Sequence, residues 1–139
     1  MNNSTGKYLF TLIQSYRSEM RSAIDAKSLN INAMHVQCLR FIAETPSCTA
    51  NSIVQGLTRD KSQISILIKD MVKKGWIEKT ANIADKRSQL LVLTAAGREL
   101  IDKVRQEEAA VSKRMQQGLS EQELAVFQNV VQTMIKNLN

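Results

Sequence analysis

A chain of 139 residues with 43% hydrophobic content and a net charge of +6 has room for one domain with a real core. It holds no apolar run of roughly 18 residues and begins with the polar "MNNSTGKYLF", so neither a membrane span nor a secretory leader is expected and the cytoplasm is the expected location. Two cysteines (Cys38, Cys48) and a single histidine (His35) cannot close a zinc site within one chain without carboxylate or intersubunit help, and the chain offers no nucleophile–base pair, carboxylate dyad or glycine-rich phosphate loop. No enzyme, metal or cofactor is expected. The cysteines read as reduced thiols, Cys38 on a buried helix face. A redox role would need a depressed thiol pKa, for which Arg40 is the cation nearest in sequence.

Residues 8–27 place Leu9, Leu12, Ile13, Tyr16, Met20 and Ile24 three and four apart, which predicts a long amphipathic helix. "SLNIN" breaks it. Asn32 is an N-cap for a second helix over 33–44, with Val36, Leu39 and Ala43 inward and Phe41 and Ile42 beside them. Pro46 ends that helix by pushing Thr45 out of helical geometry. Thr49 caps a short helix over 50–56 that stops near Gly56. Asp60 caps a fourth over 61–74, with Gln63 placed for a capping-box-like pair and Gly75 at the C′ position. "WIEKT" and "SQLLVL" predict two short strands joined by about seven residues. Thr94 caps a helix over 95–117 closed by Gly118, and "SEQE" (Ser120 to Glu123) is a capping box for a last helix over 121–137. The predicted fold is mainly α with a small β-hairpin wing. A winged helix-turn-helix lobe over 32–95 sits beside a helical layer from 6–30 and 96–139, all within one domain.

The charge is unevenly spread. Residues 59–98 hold nine Lys/Arg against four Asp/Glu, a net +5, whereas residues 99–139 are close to neutral. A basic lobe beside a neutral one suits a polyanionic partner. On a helical wheel of 60–74, Ile64, Leu67, Ile68, Met71 and Val72 form the core side. The opposite side carries Ser62, Ser65, Ile66, Lys69 and Lys73, with Lys61 and Gln63 at its N-terminal end. Such a face suits a major groove: serine can bond bases or phosphates, lysine neutralises phosphates, and Ile66 could meet a thymine methyl or pack on the wing. The N-termini of the short helix and of this one, at Thr49 and Asn51 and at Asp60, are candidate phosphate clamps. A winged-helix module that docks an acidic protein is the alternative, although Lys and Ser fill the face where an apolar docking patch would be expected.

"DKRSQLLVLTAAG" fits D-x-R-x-x-x-x-x-L-T-x-x-G through Asp85, Arg87, Leu93, Thr94 and Gly97. With "DKSQISILIKDMVKKGWIEK" before it, the chain resembles the MarR family of bacterial winged-helix transcription regulators over almost its whole length. The resemblance implies a homodimer on pseudo-palindromic double-stranded DNA, acting as a repressor released by a small, often aromatic, anion bound between the two layers. It implies Arg87 as a minor-groove arginine beside Lys86, with Asp85 holding the Arg87 side chain in advance. An arginine on a hairpin tip suits the narrow, negative minor groove of A·T-rich DNA. Many relatives carry Arg where this chain has Ile66, which implies a more A·T-tolerant or shape-based site. Peroxide-sensing relatives use a cysteine early in the first helix, and none stands there.

Tyr8, Leu12, Tyr16 and Met20 on the first helix, with Phe127, Val131, Met134 and Leu138 on the last, could cover one another across a two-fold axis. For an effector, Tyr16, Arg17, Met20, His35 and Arg40 would border the junction of the layers, with Arg17 or His35 holding a carboxylate.

Overall fold

The computed structural model describes residues 4–139. Eight elements follow in order: α1 (Ser4–Ala26), α2 (Ala33–Glu44), α3 (Ala50–Gly56), α4 (Lys61–Lys73), β1 (Ile77–Ala81), β2 (Gln89–Leu93), α5 (Ala95–Met115) and α6 (Glu121–Leu138). The strands pair antiparallel, from Ile77 opposite Leu93 to Ala81 opposite Gln89, leaving seven residues as the wing loop. Among the described residues no helix is long and apolar enough to cross a membrane.

Caps fix most helix starts. The Asn32 side chain accepts the His35 amide at 2.9 Å, while His35 Nδ1 accepts the Asn32 amide at 3.3 Å. A histidine therefore closes a box that usually needs Glu or Gln. Thr49 and Ser52 close the box of α3, and Ser120 and Glu123 that of α6. The expected pair of Asp60 with Gln63 does not form. Asp60 is the N-cap of α4 without a side-chain cap bond, because its carboxylate instead accepts the Ser62 hydroxyl at 2.6 Å.

One core joins α2, α3, α4, the hairpin and the first half of α5. Leu39, Ile53, Ile64, Met71, Ile77 and Val104 are its most enclosed members, joined by both cysteines. Ala43 and Val72, expected inward, are exposed: they sit at the edges of their stripes, beyond the reach of the packed neighbours. The amide of Leu91 donates to the Cys48 carbonyl at 2.8 Å, tying the segment before α3 to β2.

The turn from wing to α5 is tight. Gly75 takes φ +78°, a left-handed turn suited to glycine after a helix. Its carbonyl accepts the Thr94 hydroxyl at 2.5 Å, and the Trp76 carbonyl accepts the Thr94 amide at 3.0 Å. Thr94 also caps α5 by accepting the Gly97 amide. A Cβ on Gly97 would lie 2.0 Å from the Trp76 carbonyl oxygen, so only glycine lets α5 pass this close to the strand.

Helix α5 packs on α1 and α2. Ion pairs cross the same seams, Lys27 with Glu107 at 3.9 Å and Glu19 with Arg114 between α1 and α5, and Arg40 with Glu108 between α2 and α5. Only Ile24 of the α1 stripe is buried, and α6 buries no residue at all.

Candidate nucleic-acid interface

Helix α4 turns Ile64, Ile68 and Met71 into the core. Lys61, Ser62, Gln63, Ser65, Ile66, Lys69 and Lys73 all stand exposed on its other sides, as the wheel predicts. Ile66 does not pack on the wing, since 68% of its surface faces solvent. The acid within the helix faces elsewhere: Asp70 accepts from His35 Nε2 at 2.8 Å and pairs with Lys74 at 3.4 Å. That hydrogen bond from His35, ahead of the charge of Lys74, holds the Asp70 carboxyl below its ordinary pKa. Of the nine Lys/Arg between residues 59 and 98, Lys74 is the one found in an ion pair among the described residues. The cations of the reading face therefore project into solvent without internal neutralisation.

Asp85, Lys86 and Arg87 are exposed at the wing tip. Asp85 does not hold the Arg87 guanidinium. Its Oδ1 accepts the Arg87 backbone amide at 3.0 Å, so the carboxylate shapes the turn and leaves the arginine head free. Asn82, which sequence reasoning missed, organises the same loop: Oδ1 accepts the amides of Ala84 and Asp85 at 3.1 and 3.4 Å, and Nδ2 donates to Ser88 at 3.1 Å. The signal was present, since Asn is a standard turn former at the end of a strand.

At the start of α3, Asn51 is exposed, but the Thr49 hydroxyl already accepts the Ser52 amide at 3.2 Å and lies 3.0 Å from the Ser52 hydroxyl. Thr49 serves first as a cap, and only Asn51 offers a free side chain to a phosphate.

The five expected effector residues do not form one pocket. His35 is buried with both ring nitrogens engaged. Because Nδ1 accepts from the Asn32 amide, the ring proton sits on Nε2 and is donated to Asp70, so no nitrogen is left for a ligand carboxylate. The ring also stands edge-on to Trp76, with centroids 5.2 Å apart. Arg17 is exposed and Met20 packs on the core. Tyr16 and Arg40 do come together, with Glu108: burial, then the charge of Glu108, pushes the Tyr16 hydroxyl up, and Arg40 opposes this. Two clefts, one of about 270 Å³ between α1 and α5 and one of about 560 Å³ between the end of α2, β2 and the start of α5, are lined by none of the five.

Both cysteines are buried and free. Burial raises the pKa of each. Cys48 reaches about 11 with nearby Cys38 adding to the rise, and the cation acting on Cys38 is Arg59 rather than Arg40. Thiols in this state are poor nucleophiles.

The MarR family profile matches residues 29–88, from the turn before α2 through the wing. Over 106 residues the chain is 29% identical to an uncharacterized HTH-type transcriptional regulator, YdcH of Bacillus subtilis, covering 72% of this chain and 69% of that protein. The fold is shared with a mutant of MarR from E. coli complexed with operator DNA (TM-score 0.79, 20% identity, 95% of this chain and 94% of that one). It is shared equally with Bordetella bronchiseptica BpsR, whose DNA binding is regulated by 6-hydroxynicotinic acid (TM-score 0.78, 18% identity, 96% of each chain). The profile match over the helix-turn-helix and wing, set on this whole-chain fold, makes the chain similar to the MarR family of winged-helix regulators.

Proposed function

We propose that the chain is a homodimeric, sequence-specific DNA-binding transcription regulator, acting as a repressor that a small anionic ligand releases. The observation that carries DNA binding is the set of exposed cations on α4 and the wing, none of which is neutralised by an internal partner. In this reading residues 32–95 form the DNA-binding lobe, with α4 in the major groove. Lys69 and Lys73 meet phosphates, Ser62, Ser65 and Gln63 bond base edges or backbone, and Ile66 meets thymine methyls. Arg87 and Lys86 enter the minor groove, and Asn51 meets a phosphate at the start of α3. The MarR complex with operator DNA supports the same docking through the shared fold.

Dimerisation is supported by the outer helices. Tyr8, Phe10 and Ile13 on α1 and Phe127, Val130 and Ile135 on α6 leave wide apolar surface uncovered. Patches of this kind mark interaction sites. Two reading heads on a two-fold axis would match a pseudo-palindrome with half-sites about 34–36 Å apart.

For release, the regulation of BpsR by a pyridine carboxylate supports a comparable effector. On this chain Arg40 beside Tyr16 is the best-placed cation, and an incoming carboxylate would displace Glu108 from it. If that ligand favours the protein form with mis-spaced reading heads, it weakens DNA binding by linkage.

The test is an anisotropy titration against duplexes selected by the protein from a random library, repeated across salt. Tight binding that weakens steeply is expected, with a slope of about −0.9 per phosphate neutralised. Absence of binding at low salt would overturn the proposal. Repeating the titration with 6-hydroxynicotinic acid, against Arg40→Ala, tests the effector arm.

A further inference from the structure

Ile83 stands at the wing tip with 95% of its surface exposed, more than any other large hydrophobic side chain among the described residues. The loop that carries it is held by the Asn82 bonds to Ala84, Asp85 and Ser88 and by the Asp85 bond to the Arg87 amide. An apolar side chain is thus presented on a braced tip, in a loop otherwise made of polar and small residues.

Its surroundings say what it meets. Lys79, Lys86 and Arg87 are exposed on the same hairpin, and none is in an ion pair. Of the two hairpin acids, Asp85 is committed to the turn, and Glu78 lies toward the base of the hairpin, opposite Val92. An exposed apolar point on a hairpin whose free charges are cations fits a polyanion whose interior is apolar. The minor groove is such a surface, with phosphates along both walls and sugar and base-stack edges between them. Proteins that enter this groove often push an apolar side chain against a base step. An acidic protein partner would have to place an apolar hollow among carboxylates to match the same tip.

We infer that Ile83 is a minor-groove wedge. It presses on the base step beside the one Arg87 enters and selects a flexible pyrimidine–purine step there, because such steps unstack most easily. Arg87 supplies attraction to the groove, and Ile83 supplies discrimination by deformability. The wedge rests on the DNA-binding reading above, and its own failure is separable from the failure of that reading.

The experiment uses the 139-residue chain and its selected duplex in three versions, with TA, AA or GC at the step beneath the wing tip. Anisotropy gives affinity, and energy transfer between end labels gives the bend. Wild type should prefer TA over GC by about tenfold. Ile83→Ser should erase that preference and reduce the bend, and Ile83→Leu should keep both. Arg87→Ala should weaken all three duplexes. Wild-type binding with Ile83→Ser unchanged in preference and bend would overturn the wedge and leave DNA binding intact. Wild-type failure to bind any duplex, with an acidic protein recovered on the tip instead, would overturn both.

Discussion

Helices α2 and α6 both carry clear apolar stripes, yet α2 buries His35, Cys38, Leu39 and Ile42 while α6 buries nothing. The difference lies in the neighbours. α2 is enclosed by α3, β2 and α5 of its own chain, and α6 makes no substantial contact with any other element. Equal periodicity becomes core in one place and open surface in the other. The winged-helix part is therefore complete within one chain, and the outer helices leave an apolar face uncovered.

The largest effect expected on this contrast comes from the enclosed side. Leu39→Ala should cost about 2–5 kcal/mol in denaturant unfolding, with the same loss at every protein concentration. Next comes the joint between the parts. Gly97→Ala drives a methyl into the Trp76 carbonyl and should cost about 1–3 kcal/mol or more, read as a drop in melting temperature.

On the open side, Phe127→Asp should leave the monomer fold intact, because Phe127 is 48% exposed. Under the dimer proposal it should halve the mass in sedimentation and abolish the rise of melting temperature with concentration. A variant that keeps the wild-type mass would break the comparison. The smallest effect concerns Asp70. Its carboxyl is held below the ordinary value of 3.8, mainly by the His35 hydrogen bond, so its contribution is fully present above that value. The contribution fades as pH falls through the lowered value. Asp70→Asn should lower stability slightly near neutrality, where the contribution is present, and change little in strong acid, so that the acid limb of the stability–pH curve flattens, as followed by circular dichroism.

What could be read from the sequence was mostly local. The bounds of α2 and α3 follow from Asn32, Thr49 and Pro46, because a cap and a breaker act within one helical turn. The exposed face of α4 follows from its period. Contacts between distant residues could not be read this way. Nothing near His35 announces Asp70, 35 positions away, and nothing near Arg40 announces Glu108, 68 positions away. The expected effector residues share elements rather than a common place in space, and the structure separates them. Asp85 shows a subtler limit. The family resemblance implies an acid–arginine pair, but an aspartate two residues before an amide in a tight turn finds that amide first.

Thr94 is the one residue between the end of β2 and the start of α5, and it is bonded to both Gly75 and Gly97. There is no slack at this point. The 21 residues of α5 make a rod of about 30 Å, rooted in the hairpin at one end and reaching the far layer at the other. Such a rod has the form of a lever: a tilt at its distant end would reach the hairpin through the Thr94 joint, with no flexible linker between them to absorb it. A shift of α1 against α5 would thereby meet no slack before the hairpin that carries Arg87 and Ile83.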